Sequence, residues 1–263
     1  QALTDGFSTV GSLGYGLGTV NRLMDELHLT SQPDGPERGT HIICKRFVRP
    51  DEPVVKPGPL EFGVATRPHP LMAVNGDAFV LKQWGQSALV GVIDGLGHGQ
   101  FAQRAAHTAR QYVESHYDQP LSSIFLGAGR ACRATRGVVM ALARFDWTVD
   151  PLQITLTFAS LGNIEARVFG KSESMNLIVR RGILGAQTVN PVVTGHRWEP
   201  GYMLVLHSDG VSSRWHWTDF ALAQSPAQTV AQQLLRRLAN DQDDATVAVV
   251  RSAATNQRIA NSE

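Results

Sequence analysis

Residues 87–99 read SALVGVIDGLGHG, and the reading of this stretch decides the fold. Ala88-Leu89-Val90-Gly91-Val92-Ile93 is an almost unbroken apolar run of the length of a buried strand. It delivers Asp94 into a turn holding Gly95, Gly97 and Gly99. Behind the turn, Phe101, Ala105, Thr108, Ala109, Tyr112 and Val113 recur at helical spacing between Phe101 and Tyr117. An acid fixed at a strand end, beside glycines that let backbone carbonyls come close, suits a hard cation. Asp-Gly is equally a turn signal, so Asp94 taken alone also reads as a cap.

Three more acids sit beside apolar runs. Asp77, in Asn75-Gly76-Asp77, precedes Ala78-Phe79-Val80-Leu81. Asp209, in His207-Ser208-Asp209-Gly210, follows Tyr202 to Leu206. Asp243, in Asp243-Asp244-Ala245-Thr246, precedes the run Ala245 to Val250. Each alone reads as a turn acid. Several carboxylates on strand ends, with no matching His/Cys cluster, point to Mg²⁺ or Mn²⁺ rather than zinc. In a regular strand Asp244 would face away from Asp243.

The totals narrow the class. Hydrophobic residues make up 43% of the 263, enough for a real core. A net charge of +1 implies no strong pull on nucleic acid or an anionic membrane. No stretch approaches the ~20 apolar residues of a membrane span, and the N-terminus lacks the features of a signal peptide. Cys44 and Cys132 form neither a disulfide framework nor a metal-ligand pair. Both are expected to be buried thiols in a reducing cytoplasm. Apolar runs at 138–145, 152–158, 164–169 and 176–179, with Gly162-Asn163 read as a hairpin turn, argue for an antiparallel sandwich of the α+β class. A second helix spans Leu121 to Arg133; its Arg130 and Arg133, with Arg136 beyond, read as a solvated face rather than a phosphoprotein patch. Ser225-Pro226-Ala227-Gln228 is a capping-box start for a third helix, with Val230, Leu234, Leu235 and Leu238 turned inward.

Residues 1–46 differ. Gly6, Gly11, Gly14, Gly16 and Gly18 crowd a short stretch. Val20, Leu23, Met24 and Leu27 continue it as a helix, and Thr40 to Cys44 reads as a strand. Gly14, Gly16 and Gly18 fit a phosphate cradle at a helix start; a flexible loop is at least as good a reading. Residues 47–58 are proline-rich and read as a linker. A second domain then covers 59–252, and 253–263 read as a flexible tail.

The segments GD (76–77), DGLGHG (94–99), SDG (208–210) and DDAT (243–246), in this order, resemble the metal-dependent PPM protein phosphatases of the bacterial SpoIIE and RsbX branch. DGxGHGxxAxxAA, from Asp94 to Ala106, is specific to that branch; 159–168 and Gly182-Ile183-Leu184-Gly185 also resemble it. The resemblance implies a PPM-type antiparallel β-sandwich flanked by helices in an α-β-β-α order. It implies that Asp77, Asp94, Asp209 and Asp243, with the Gly95 carbonyl, hold two Mn²⁺ or Mg²⁺ ions roughly 3.5–4 Å apart, Asp94 serving both. Asp94, Asp77 and Asp209 would then be catalytic, activating a water for in-line attack on phosphoserine or phosphothreonine. Eukaryotic members hold the phosphate with an arginine near the first strand. Arg67 is the nearby candidate, and phosphate contacts stay unassigned. His98 fits a backbone or capping role better than an acid-base one.

The implied substrate is a phosphorylated STAS-type antagonist or stressosome-like protein, with an anti-sigma kinase as a further partner in a partner-switching circuit. DGFSTVGSLGYGLGTVNRLMDEL (5–27) is similar to the ATP lid of the RsbT and RsbW serine kinases of the GHKL fold. The motifs that precede that lid are not in the sequence. A partial GHKL-like α/β segment that does not bind ATP is therefore expected. Two other functions compete: a non-catalytic partner-switching module, and an ATP-binding serine kinase in the full-length chain.

Overall fold

The apolar run before Asp94 becomes β5 (Ser87–Gly95), an interior strand of a five-stranded antiparallel sheet in the computed structural model. The structure describes residues 20, 24, 26–32, 39–45, 58–149, 152–170, 175–186, 190–216 and 224–253. The chain divides into two compact units, Gln1–Lys56 and Pro57–Glu263.

In the first unit, β1 (Glu26–Gln32) pairs antiparallel with β2 (Gly39–Lys45). The helix expected to run through Leu27 has given way to strand by Glu26. Leu27 and Leu29 alternate with His28 and Thr30, and alternation is the strand period. Leu27 lies opposite Cys44 and Leu29 opposite Ile42. Cys44 is exposed rather than buried, because it lies on a two-stranded ribbon; Cys132 is buried as expected. Gly14, Gly16 and Gly18, nearly all of the 47–58 linker and the tail beyond residue 253 lie outside the described residues.

The second unit stacks four layers. One sheet orders β3 (Leu60–Arg67), β11 (Ala245–Ser252), β10 (Met203–His207) and β8 (Glu165–Phe169). The other orders β4 (Asp77–Trp84), β5, β6 (Val138–Val149), β7 (Leu152–Leu161) and β9 (Val192–Trp198). Every pairing is antiparallel. Helices α1 (Gln100–Ser115) and α2 (Leu121–Ala131) cover the five-stranded sheet, and α3 (Ala227–Leu238) covers the other.

Alternation within single strands builds these layers. Val90 and Val92 of β5 and Leu204 and Leu206 of β10 meet between the sheets. Leu89 and Ile93 turn the other way onto α1 and α2, and Met203 and Val205 onto α3. A strand buried on both faces shows no polar alternation, which is why these segments read as continuous apolar runs. Among the described residues no helix is long and apolar enough to cross a membrane.

Three local expectations give way. Gly162-Asn163 is not a hairpin: β7 belongs to one sheet and β8 to the other, so the chain crosses between layers there. The run at 176–179 forms no strand; an isolated bridge joins Arg180 to Leu161, and β9 pairs with β7 instead. Helix α3 has no side-chain cap of its own at Pro226. Its Ala227 N–H donates to Glu61 Oε1 of β3 at 2.8 Å, because β3 lies against the helix start and brings a carboxylate with it.

Candidate metal centre

Antiparallel register sets Asp77 of β4 directly across from Asp94 of β5, roughly 4.5–5.5 Å away between Cα atoms as strand pairing dictates. In the other sheet the end of β10 lies beside the start of β11, with His207 opposite Val247. Asp209 therefore leaves β10 where Asp243 and Asp244 enter β11. One hydroxyl joins the sheets at this end. Ser208 Oγ donates to Asp77 Oδ2 at 2.6 Å and accepts from the Thr246 backbone N–H at 3.0 Å.

The loops carrying the acids pack closely. Gly95 N–H donates to Gly76 O at 3.1 Å. A Cβ on Gly95 would meet the Ala102 backbone, and one on Gly210 the Asp244 backbone. One on Gly76 would lie 2.5 Å from Asp244 Oδ2. Any side chain at these positions would push apart the turns that bring the carboxylates together. Asn75 Oδ1 accepts from Asp77 N–H at 2.9 Å, and Asn163 Nδ2 donates to Asp209 Oδ2 at 2.9 Å.

The electrostatics show that the five acids share one region. Burial, then repulsion from Asp77, Asp209, Asp243 and Asp244, pushes the Asp94 carboxyl up to about 9. Burial pushes Asp77 up to about 7, with repulsion from Asp244 and Asp209 added and the Ser208 and Thr246 hydrogen bonds opposing. Asp243 is also raised, by burial first and then by Asp209 and Asp244, against a bond from the Asp244 N–H and the nearby His98. Among the described residues none of the five has a Lys or Arg ion-pair partner.

Asp244 departs from expectation. It is 2% exposed and part of the cluster, not turned away from it. Strand β11 begins only at Ala245, so strand alternation does not govern the acid pair. Asp244 Oδ1 accepts from His69 N–H at 2.9 Å, while Oδ2 is buried without a hydrogen-bond partner. A buried carboxylate oxygen left without a partner is one that a cation would satisfy. Among the described residues no three His, Cys, Asp or Glu side chains stand close enough together to hold a metal ion as they are. Mg²⁺ keeps several waters rather than an all-protein cage.

Asp77, Asp94, Gly95, Asp209 and Asp243 thus lie at neighbouring strand ends on one end of the sandwich. Asp244, Ser208, Thr246 and Asn163 were not assigned roles, although the first three stand inside the SDG and DDAT segments. Arg67 is turned elsewhere, donating to Asp241 Oδ1 at 3.2 Å and to the Asn240 carbonyl. His98 stacks on His69 with ring centroids 5.4 Å apart.

No protein-family model matches the chain. The phosphoserine phosphatase RsbX of Bacillus subtilis (strain 168) is 23% identical over 141 residues, 53% of this chain and 69% of RsbX. A chain from a study of the bacterial stressosome, a modular system adapted to control secondary messenger signaling, superposes with a TM-score of 0.67 at 28% identity, over 73% of this chain and 99% of that one. The crystal structure of RsbX in complex with magnesium gives 0.65 at 19% identity, over 74% and 96%. The fold is that of the PPM-type phosphatases. In this PPM-type fold the donors at the candidate centre are all oxygens: the clustered carboxylates, the orphaned Asp244 Oδ2 and the Gly95 carbonyl. That set fits Mg²⁺ or Mn²⁺.

Proposed function

We propose that this protein is a metal-dependent phosphoserine/phosphothreonine phosphatase. The carrying observation is the convergence of Asp77, Asp94, Asp209 and Asp243 from four strand ends, with Asp94 pushed up to about 9 by burial and its neighbours. Carboxylates crowded in this way, with no Lys or Arg ion-pair partner among the described residues, suit divalent cations. Asp94 and the Gly95 carbonyl, together with Asp77, Asp209 and Asp243, would hold two ions. Bound there, Mg²⁺ or Mn²⁺ would supply an acidified water and positive charge for phosphoryl oxygens. The protein's own contribution is orientation. Ser208 holds Asp77 and Asn163 holds Asp209, so the ligand oxygens are aimed before substrate arrives. His69, through its backbone N–H, does the same for one oxygen of Asp244.

The substrate in this reading is a phosphorylated STAS-type antagonist or stressosome-like protein, with an anti-sigma kinase as a further partner. The likeness to RsbX and to the stressosome chain supports it. Residues 59–252 form the phosphatase domain, and residues 1–46 a GHKL-type kinase segment supported by the wording of 5–27. The free thiols Cys44 and Cys132 support a cytoplasmic setting. The test is turnover of p-nitrophenyl phosphate and of phosphorylated STAS-type antagonist. Hydrolysis should require Mn²⁺ or Mg²⁺ and stop with EDTA. No turnover with either ion would leave the non-catalytic partner-switching module as the better reading.

A further inference from the structure

Arg136 stands on the turn into β6, just before Gly137. Leu96 N–H donates to Gly137 O at 3.1 Å, and Gly95 lies opposite Val138. This turn therefore runs alongside the loop that leaves Asp94. The guanidinium reaches back over that loop: a Cβ on Gly97 would lie 3.0 Å from Arg136 Nη1. Its Cζ sits 4.8 Å from the centroid of the Phe101 ring, in the first turn of α1. Phe101 is 64% exposed, so this ring contributes little by burial and serves as a platform for the cation.

Several arginines of the domain are committed to acids. Arg67 is paired with Asp241, Arg144 with Asp146 and Arg167 with Glu165. Among the described residues Arg136 has no carboxylate partner. It is an exposed, oriented cation beside the Asp94 loop. Guanidinium presents a planar fork of donors that matches phosphate oxygens.

We propose that Arg136 binds the phosphoryl group of the substrate at the rim of the acid cluster, with Phe101 holding the plane of the guanidinium. The inference rests on the phosphatase reading above. It supplies the phosphate contact that Arg67, turned to Asp241, does not make. Gly97 belongs to the same device, since a side chain there would displace Nη1.

The test compares unaltered protein with Arg136→Ala and Arg136→Lys in the presence of Mn²⁺. Arg136→Ala should raise KM for p-nitrophenyl phosphate by about tenfold to a hundredfold, the effect of losing hydrogen bonds to a charged group. Arg136→Lys keeps the charge without the fork and should fall between. Phe101→Leu, which frees the guanidinium, should also raise KM, by less than Arg136→Ala. Mn²⁺ affinity measured by calorimetry should not change. Binding of inorganic phosphate to the Mg²⁺-loaded protein, followed by ³¹P NMR, should weaken by the same factor as KM rises. Arg136→Gln serves if the alanine variant does not fold. Unchanged KM and unchanged phosphate binding in an active background would overturn the inference alone. An unaltered protein with no metal-dependent hydrolysis would overturn the phosphatase reading, and the inference with it.

Discussion

At neutral pH a carboxyl pushed up to about 9 keeps its proton, and Asp94 is such a group. Asp77, pushed up to about 7, is divided between its two forms. In an unfolded chain both would ionise near 4. Because the folded values lie above the unfolded one, each contributes stability that is complete below about pH 4 and is lost as pH rises through the folded value. The metal-free protein should therefore melt at progressively lower temperature between about pH 5 and about pH 9 in scanning calorimetry. Asp94→Asn should flatten that decline. Mg²⁺ should remove it, releasing protons that calorimetry in buffers of different ionisation enthalpy will detect. The same Asp94→Asn variant should lose at least about a hundredfold of the Mn²⁺-dependent turnover of p-nitrophenyl phosphate. A variant that is as active as the unaltered protein would remove Asp94 from the site. Asp94 was readable because its strand, its turn and its acid are contiguous in the sequence. Asp244 was not, because its direction follows from His69 and Gly76, far away in the chain.

Between elements, the seam of β3 with α3 shows how little room the fold leaves. A Cβ on Gly63 would meet the backbone of Ala227 and Gln228. The exposed edge of β3 is closed by one side chain: Gln228 Oε1 accepts from Val64 N–H at 3.0 Å, and Gln228 Nε2 donates to Val64 O at 2.9 Å. Gly63→Ala should lower stability by about 1–3 kcal/mol, as overpacking does, read as a lower urea midpoint. Glu61→Ala removes the cap on Ala227 and should cost about 1 kcal/mol by the same measurement. The two sites are neighbours, so their effects need not add. Sequence reading found both elements from their apolar patterns. It placed the cap in Ser225, since a local window contains no residue of β3. It also passed over β9, whose Val192 and Val193 are partly exposed and whose run is interrupted by Thr194, Gly195 and His196.

For the whole molecule, the three apolar clusters that build the layers lie entirely within Pro57–Glu263. A protein consisting of residues 57–263 should therefore fold and show the metal-dependent turnover of the full chain. Loss of the cooperative thermal transition in that shorter protein would show that the first unit is needed for folding. The partition also separates the two functional readings, because kinase-like wording is confined to 1–46 and all five clustered acids lie beyond residue 56.

Sequence alone determined the antiparallel sandwich class, most of its strands and the acids at their ends. Those features follow from run length, side-chain period and turn residues, which are properties of a few neighbouring positions. The tertiary structure decided the rest: that the chain crosses to the other sheet between β7 and β8, that Ser208 ties Asp77 to β11, that Asp244 joins the cluster and that Arg136 lies over Gly97. Each depends on packing between separate elements, in the case of Ser208 and Asp77 across 131 positions. No local stretch of residues carries the energy of such contacts.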